Sequence, residues 1–392
     1  MTRTAVLLFT RDLRVHDNPA LAAACRDADR VVPLYVDDPA RESNRNQRRF
    51  LLESLDDLRK SLRDLGGDLV LRAGDTAEQV AAVRKDTGAD LVVCASDAGR
   101  FATALLERLG EDADLHVTPG PAVVEPGRLL PSGGGDHYKV FTPYWRAWSQ
   151  VRWRETAAEP DGLRVPDLPD SHDLAPAEPT ATDLPPGGER AGLARLDEWA
   201  PDSGDYGARH DDLAGDRTSR LSPYLALGCL SARAVAEDPR VSEDFVRQMC
   251  WRDFHLQVLA AFPALTDTPY RKGANDVWDA DLTALEAWKT ATTGVGIVDA
   301  GMRQLHTEGW MHNRARLITA GYLVKTLGLD WRDGAAHFAA HLVDLDEANN
   351  WGNWQWTAGT GNDTRPNRGF NHERQAGRFD PEGAYRDRWS RA

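Results

Sequence analysis

The sequence predicts an α/β N-terminal domain with a Rossmann-like parallel sheet, an all-α C-terminal domain, and a long Pro-rich linker between them. Three observations predict this fold class. Short apolar runs alternate with helical patterns over the first 130 residues, a Pro-rich stretch follows, and the strand signal vanishes from about residue 191. We place the sheet-containing domain at 1–130, the linker at 131–190 and the helical domain at 191–392.

The expected strands of the N-terminal domain are short and apolar throughout, and do not alternate apolar with polar residues. Such runs are typical of strands covered on both faces, as in a parallel sheet with helices on either side. Helical patterns, with apolar residues at three- and four-residue steps, lie between the strands at 47–65 and 76–86. The predicted strands are 5–9, 31–36, 68–72, 90–94 and 114–118.

The linker is richest in proline over residues 155–190, which hold 7 of the 22 prolines and few large apolar side chains. This composition fits two alternatives, a disordered connection or an extended connection that runs along a domain surface. Beyond the linker, apolar residues recur with a period near that of an α-helix. The predicted helices there are 242–262, 282–291, 297–308, 312–327 and 332–343.

The charge balance argues against a protein that coats nucleic acid generally. Among 392 residues, 61 are acidic and 47 are Lys or Arg, so the formal net charge is −14. A local basic cleft stays open, because seven Arg outnumber four acidic residues between positions 364 and 392. All 13 Trp lie at or after Trp145, so the C-terminal two thirds of the chain use indole rings heavily.

We expect a cytoplasmic protein without membrane association, because no apolar run reaches the length of a membrane-spanning helix. The four cysteines lie far apart, which disfavours a disulfide framework and a zinc site and fits a reducing compartment. Asp344 and Asp346 could suggest a metal, but no His or Cys completes a ligand set, so no metal site is expected. The cysteines are Cys25, Cys94, Cys229 and Cys250.

The segment Thr218–Tyr224 combines three hydroxyl side chains with an Arg just before a helix that Pro223 starts. Free N–H groups and the positive dipole end of a helix N-terminus can hold a phosphate. An ordinary Ser N-cap is an equally weighted alternative for this segment.

The segment Trp310–Arg316 combines an aromatic ring, an amide and two guanidinium groups. On a helix, Asn313 and Arg316 share one face, with Trp310 one turn earlier on the same side. This set suits a flat heteroaromatic ligand that carries phosphates. The alternative is a solvated basic face.

Residues Asp344–Trp356 contain three Trp within six positions, which is improbable as surface decoration. Their carboxylates and amides can hold the N–H and C=O edges of an isoalloxazine ring. Residues 247–255 have helical spacing, and Trp251 taken alone is more typical of a core residue than of a ligand contact.

Taken together, these motifs resemble the DNA photolyase and cryptochrome family, and most closely its bacterial cyclobutane pyrimidine dimer photolyases. The resemblance covers nearly the whole chain, and several long motifs occur in the family's order. It is carried by FTRDLRVHDNPAL at 9–21, KVFTPYWRAW at 139–148, TSRLSPYLALGCLS at 218–231, WRDFH at 251–255, GWMHNRARLITA at 309–320, ANNWGNWQW at 348–356 and FDPEGAY at 379–385.

The resemblance implies that the helical domain binds FAD. Asp344 would pair with Arg316 beside the flavin, and Asn350 would face flavin N5, where a neutral amide suits the anionic fully reduced flavin of a photolyase. The residues that the resemblance assigns to the FAD site are Tyr206, Thr218, Ser219, Arg220, Leu221, Ser222, Arg252, Trp310, Asn313, Arg316, Asp344, Asp346 and Asn350.

The resemblance also implies a reaction: excited reduced FAD donates an electron to a pyrimidine dimer in DNA, the dimer splits, and the electron returns. Trp354, Trp331 and Trp278 would pass electrons from the surface to the flavin. The residues assigned to the dimer and to DNA are Gln248, Trp251, Asn313, Arg314, Trp356 and Arg368. The protein is expected to act as a monomer.

Three departures from the family pattern leave alternatives open. Gln248 stands where many dimer photolyases have Glu, and Gln at this position resembles (6-4) photolyases and animal cryptochromes. Asn313, by contrast, argues against a (6-4) enzyme. A cryptochrome-like photoreceptor without repair activity is the runner-up. For the family's folate or deazaflavin antenna in the α/β domain, two alternatives stay open, absence or a deazaflavin in a modified cleft, because Arg41–Arg49 is short and Ser96–Arg100 lacks an expected tyrosine.

Overall fold

The computed structural model describes residues 2–41, 43–365 and 369–390. Its first part is a five-stranded parallel sheet with strand order β3-β2-β1-β4-β5. The parallel sheet and all five predicted strands are confirmed. The central strand β1 is buried along its whole length, as its purely apolar sequence predicted. The strands are β1 Thr4–Phe9, β2 Arg30–Asp37, β3 Val70–Ala73, β4 Leu91–Ala95 and β5 Asp114–Thr118.

Helices connect the strands, and polar side chains cap three of their N-termini. At three helices the N-cap side chain accepts a hydrogen bond from a backbone N–H in the first turn, which fixes the residue at which the helix begins. These caps are Asn18, Asn44 and Asp75. The predicted helices at 47–65 and 76–86 are confirmed with slightly wider bounds. The helices of this part are α1 Pro19–Asp27, α2 Arg45–Asp64, α3 Thr76–Thr87 and α4 Arg100–Asp112.

The segment expected as a linker is ordered and contains one helix, α5, over Phe141–Trp148. Its Pro-rich part has no helix or strand as far as residue 188, but it is hydrogen-bonded to the rest of the molecule. The N–H of His172 donates to the carbonyl of Leu71 at 2.7 Å, and that of Thr182 to Thr307 at 3.0 Å. Of the two alternatives, the structure therefore shows the extended connection along the surface.

All described helices after the linker pack into an all-α part, as predicted. Short 3₁₀ turns lie at Ala200–Asp205 and Pro263–Thr266. The helices are α6 Glu189–Trp199, α7 Tyr206–Arg209, α8 Ser222–Ala226, α9 Ala232–Glu237, α10 Glu243–Ala261, α11 Leu282–Lys289, α12 Gly296–Glu308, α13 Asn313–Gly321, α14 Trp331–His341, α15 Glu347–Ala358, α16 His372–Phe379 and α17 Ala384–Arg388.

One predicted helix is shorter than the pattern indicated. The expected helix 312–327 is α13 followed by a π-helical turn at Tyr322–Thr326, which the N–H of Leu327 closes on the carbonyl of Tyr322 at 3.0 Å. Among the described residues, no helix is long and apolar enough to cross a membrane.

A buried carboxylate joins α10 to the chain that follows the sheet. Asp253 accepts hydrogen bonds from the backbone N–H groups of Val123 and Val124, at 3.2 and 2.8 Å, and from the indole N–H of Trp148 at 2.8 Å. Burial raises the pKa of Asp253 to about 7. The WRDFH motif thus fixes α10 against the segment after β5.

Candidate cofactor and substrate site

Three segments that the sequence singled out meet in the helical part. The indole N–H of Trp310 donates to the hydroxyl oxygen of Ser222 at 3.1 Å, and the N–H of Val343 donates to the carbonyl of Gly309 at 2.7 Å. The segments around 218–222, 309–316 and 342–350 therefore line one region, as the resemblance implied.

Arg220 lies over the Trp310 ring, with its guanidinium carbon 4.3 Å from the ring centroid. Its backbone has φ 53°, in the left-handed region that a non-glycine residue rarely adopts. The guanidinium bonds to Asp216 at 2.7 Å and to Glu308 at 3.1 Å. Arg220 is therefore neutralised by carboxylates, and burial raises the pKa of Glu308. Neither acidic partner was predicted.

The hydroxyl groups of this segment are used locally. Thr218 donates to Asp216 at 3.1 Å, and Ser219 accepts from the N–H of Leu221 at 3.3 Å. Leu221 is the N-cap of α8, and no side chain caps that helix. The Ser N-cap alternative is therefore wrong, because Ser222 already lies inside the first turn and receives the Trp310 indole.

Trp310 is not on a helix with Arg316, contrary to the sequence interpretation. Gly309, at φ 58°, ends α12, and α13 begins only at Asn313 after His312 caps it through Nδ1. The connection folds back so that the Arg316 guanidinium carbon still lies 5.9 Å from the Trp310 ring centroid. The predicted proximity is confirmed, although its helical explanation is wrong.

Asp344 and Arg316 form the predicted ion pair, with 2.7 Å between the Arg316 Nη2 and Asp344 Oδ2 atoms. Arg316 Nε also donates to the carbonyl of Met311 at 2.8 Å, which orients the guanidinium. The second Asp344 oxygen, Oδ1, is buried without a hydrogen-bond partner among the described residues. A buried carboxylate oxygen without a donor is costly, so this atom is suited to a ligand N–H group.

Asn350 lies on α15 with its amide held in one orientation. Its Nδ2 donates to the carbonyl of Ala335 on α14 at 3.0 Å, which leaves the amide oxygen for another partner. The buried side chain thus offers a neutral acceptor.

Asp346 and Arg252 are held by protein groups. Asp346 caps α15 by accepting from the N–H of Asn349 at 2.9 Å, and it pairs with Arg11. Burial alone would raise the pKa of Asp346, but the guanidinium groups of Arg11 and Arg252 outweigh it and hold the pKa well below its ordinary value. Arg252 donates to the carbonyls of Pro121 and Leu225. Both residues therefore have structural partners, and their contact with a cofactor stays a prediction.

Tyr206 begins α7 and packs in an aromatic group. Its ring stacks on His210 with 5.2 Å between centroids and meets Phe245 edge-on at 5.2 Å. Burial raises the pKa of the Tyr206 hydroxyl, so it stays protonated at neutral pH. Its place in the FAD site stays a prediction.

The three Trp assigned to electron transfer differ in burial. Trp278 is half-buried, whereas Trp331 is 0% and Trp354 3% exposed. The Trp354 ring rests on α14 at Gly334, one turn from Trp331, where an added Cβ would lie 2.2 Å from the ring. Asp276 accepts from the Trp278 indole N–H at 2.9 Å. One of the three rings is thus partly exposed and two are buried, and their role in electron transfer stays a prediction.

Trp251 and Trp356, assigned to the dimer, are both half-buried. Phe141 of α5 stacks on Trp251 with 3.6 Å between centroids and 4° between planes, so one face of this indole is already covered. Gln248 lies one turn earlier on α10. Nothing in the structure places a base against these residues, and their roles stay predictions.

Three further residues were assigned to DNA, of which Arg314 and Arg368 would hold phosphates, and their contacts with DNA stay predictions. Arg314 forms a two-pronged ion pair with Asp211, at 2.8 and 2.7 Å, and lies over the Phe379 ring at 4.3 Å. Its charge is therefore engaged within the protein. Asn313 is exposed at the start of α13, and Arg368 lies outside the described residues.

The sequence did not predict the buried ion pairs that Arg11 forms with two distant carboxylates. Arg11, after β1, pairs with both Asp346 and Asp97, the latter at 3.1 Å, and all three side chains are largely buried. The motif around Arg11 was noticed as part of the resemblance, but its partners lie 86 and 335 residues away. No local pattern could have identified them.

The two segments considered for an antenna site are partly helical or bonded to other parts of the protein. Arg41–Arg49 is only partly a loop, because α2 begins at Arg45. Ser96 donates to Glu125 at 2.8 Å, and Asp97 is bound to Arg11. A second chromophore in this part of the chain stays a prediction.

The donor set of the region fits FAD. A ring-shaped ligand with N–H and C=O edges finds a buried unpaired carboxylate oxygen on Asp344, an acceptor on Asn350 and a guanidinium on Arg316. The fit rests on these three groups.

Two family models match the chain. The first, DNA photolyase, matches residues 5–161, and the second, the FAD binding domain of DNA photolyase, matches residues 245–391. The helical part therefore carries an FAD-binding domain, and FAD is its cofactor.

Individual proteins are similar along nearly the whole chain. A deoxyribodipyrimidine photo-lyase of Streptomyces griseus is 46% identical, covering 98% of this chain and 89% of the relative. A cryptochrome DASH of Natronomonas pharaonis is 37% identical, covering 98% and 90%. The crystal structure of a bacterial class III photolyase from Agrobacterium tumefaciens matches with a TM-score of 0.92 and 35% identity, covering 99% and 86%.

Proposed function

This chain belongs to the DNA photolyase and cryptochrome family, and from that premise we propose that it is an enzyme that repairs cyclobutane pyrimidine dimers in DNA with light. The observation that carries the proposal is the neutral, buried Asn350 amide, held in one orientation by the carbonyl of Ala335. A 46% identical relative bears the name deoxyribodipyrimidine photo-lyase, which supports the same substrate. We propose that the protein acts as a monomer.

Bound reduced FAD supplies the light absorption and the electron for the reaction. The chain's own residues hold and orient it. Asp344 Oδ1 accepts a ligand N–H that no described protein group provides, and Arg316 places a positive charge beside the ring. Asn350 offers an acceptor without adding a negative charge. A neutral amide at this position repels an anionic ligand less than a carboxylate would.

The indoles of Trp278, Trp331 and Trp354 would carry electrons inward to keep the cofactor reduced. Their burial rises from the partly exposed Trp278 to the two inner rings. Burial excludes water from the inner rings, so the path lies in packed protein.

The indoles of Trp251 and Trp356, both half-buried, would receive the flipped dimer by stacking. The Phe141 ring stacks on Trp251 and fixes the plane of this indole, which would orient it toward a base. Gln248, one turn away, can donate an amide hydrogen bond to a base carbonyl but cannot transfer a proton. A dimer already disturbs base stacking, so its extrusion costs less than that of normal bases.

The competing function is a cryptochrome-like photoreceptor without repair activity. The observation that favours it is the 37% identical relative named cryptochrome DASH. A (6-4) photolyase is a weaker alternative, because Asn313 stands at the start of α13 where those enzymes carry His.

One assay separates these functions. Purified protein with fully reduced FAD is incubated with a thymine-dimer oligonucleotide under blue light, and restored absorbance at 260 nm is followed. Dimer photolyase activity gives light-dependent recovery, whereas dark samples and an oligonucleotide with a (6-4) lesion give none. Lack of recovery on the dimer would overturn the proposal. The Trp251→Ala variant should retain FAD and bind the dimer more weakly.

A further inference from the structure

Three histidines from two helices form a cluster outside the FAD site. His306 lies on α12, and His337 and His341 lie one turn apart on α14. The ring centroids are 4.4 Å apart for His337–His341, 5.2 Å for His306–His341 and 5.8 Å for His306–His337. One nitrogen from each ring lies within 4.8 Å of the others.

The hydrogen bonding of His341 and the unpaired nitrogen of His337 suit metal binding. His341 Nδ1 lies 2.9 Å from the carbonyl of His337, so Nδ1 carries the proton and Nε2 keeps its lone pair. A backbone carbonyl that accepts from the second ring nitrogen is the usual support of a metal-binding histidine. His337 Nε2 is buried and has no hydrogen-bond partner among the described residues.

Two of the three rings are kept in the neutral form, which is the form that binds metal ions. Burial, together with the neighbouring His341, lowers the pKa of His306 to about 4. Burial, together with repulsion from His341, His306 and Lys289, lowers the pKa of His337 to about 3. The imidazoles of His306 and His337 therefore do not need to lose protons at neutral pH before a metal binds.

We propose that His306, His337 and His341 form a binding site for one divalent transition-metal ion, with Zn²⁺ as the ion of choice. Three imidazoles suit Zn²⁺, with water in the fourth position. Tetrahedral Zn²⁺ with bonds of about 2.1 Å needs nitrogens about 3.4 Å apart, so small side-chain rotations close the cluster. Local spacing did not predict this site, because His337 and His341 share one helix but the third ligand, His306, lies on another.

A bound ion would tie α12 to α14 beside the buried tryptophans. The His337 ring lies 5.4 Å from the Trp288 ring, and Trp288 lies 6.1 Å from Trp354. Metal binding would therefore stabilise the part of the core that contains the inner end of the proposed electron path.

Calorimetric titration of the chelator-treated, FAD-loaded protein with Zn²⁺ tests the proposal, and Co²⁺ absorption spectra report the ligand geometry. We expect one ion per chain, tetrahedral Co²⁺ bands and a higher melting temperature with Zn²⁺. His306→Asn, His337→Phe and His341→Gln should each weaken binding on the order of tenfold or more. His16→Gln, an exposed histidine paired with Glu159, is the matched control and should bind as the unmodified protein does.

Two results would overturn the proposal. One is no stoichiometric Zn²⁺ binding by the unmodified protein. The other is equal binding by the unmodified protein and by the cluster variants, which would place the ion elsewhere. If a cluster variant unfolds, the Co²⁺ spectrum of the unmodified protein still decides, since octahedral bands without nitrogen ligands contradict a three-histidine site.

Discussion

At the scale of the residue, Trp354 is defined by what surrounds it. It is almost fully buried and meets the Phe338 ring edge-on at 5.0 Å and the Trp288 ring at 6.1 Å. Trp288 is as deeply buried, but it lies outside the proposed electron path. The two indoles thus offer a comparison in which burial is matched and the assigned role differs.

We expect Trp354→Phe to slow photoreduction of oxidised FAD strongly while repair by chemically pre-reduced protein is kept. A phenyl ring fills most of the space but is much harder to oxidise than an indole. Flavin absorbance under blue light measures the reduction rate, and the dimer assay measures repair. Trp288→Phe is the control, and a slowing equal to that of Trp354→Phe would contradict the assigned path.

Single charged residues show where sequence reasoning ended. Arg316 and Asp344 pair as the resemblance implied, but Arg220 and Arg314 bind carboxylates 88 and 103 residues away. Residue type predicts that a guanidinium binds an anion, and it cannot tell whether that anion is a ligand phosphate or a distant side chain. Long-range partners are set by the fold.

At the scale of the element, periodicity predicted the strands and most helices because each buries one recurring set of apolar side chains. It failed at Trp310, where a glycine turn interrupts the helical spacing, and at the π-helical turn after α13. The contact of α14 with α15 depends on Gly334, whose missing side chain makes room for the Trp354 ring. Such a close approach is a property of two elements together.

We expect Gly334→Ala to destabilise the protein by about 1–3 kcal/mol, because the added methyl would overlap the Trp354 ring and the Leu323 side chain. Denaturant unfolding measures the loss. Gly377→Ala on α16 is the control, since no atom lies within 4 Å of its added Cβ, and it should be neutral or slightly stabilising. Equal effects of the two substitutions would contradict the packing explanation.

At the scale of the whole molecule, the sheet and the helical part are joined by buried ionic contacts. Arg11 at the end of β1 connects Asp97 after β4 to Asp346 at the start of α15. A net charge of −14 therefore says little about the interior, where individual cations are placed opposite specific carboxylates.

We expect Arg11→Met to destabilise the protein by roughly 3–5 kcal/mol, since two buried carboxylates would lose their shared cation. Thermal and denaturant unfolding measure the change. Arg26→Met, which removes a mostly exposed ion pair with Asp27, is the control and should change stability by less than about 1 kcal/mol. A loss below that value for Arg11→Met would show that the contact does not hold the two parts together.

Stability should also fall in mild acid because of His255. Burial lowers the pKa of His255 to about 4 from an ordinary 6.5, although Asp346 opposes the shift. The folded protein then binds fewer protons than the unfolded chain between these values, so this stabilisation is present above pH 6.5 and is lost as pH falls toward 4.

In His255→Gln, the decline of the unfolding free energy between pH 6.5 and 4.5 should be shallower by up to about 1.4 kcal/mol per pH unit. Urea unfolding at several pH values measures both slopes. His16→Gln is the control, and parallel slopes for all three proteins would show that His255 does not titrate as expected.

The route of the Pro-rich stretch along the surface exposes part of it to proteases. It is anchored before its middle by Leu163 on Leu65, and after its middle by Thr182 on Thr307, whereas Asp167 and Asp170 between them are exposed. A protease that cuts there would leave two fragments that still share the Arg11–Asp346 contact and the Asp253 anchor. The covalent connection therefore keeps the two parts close together, while the buried contacts between them supply the cohesion.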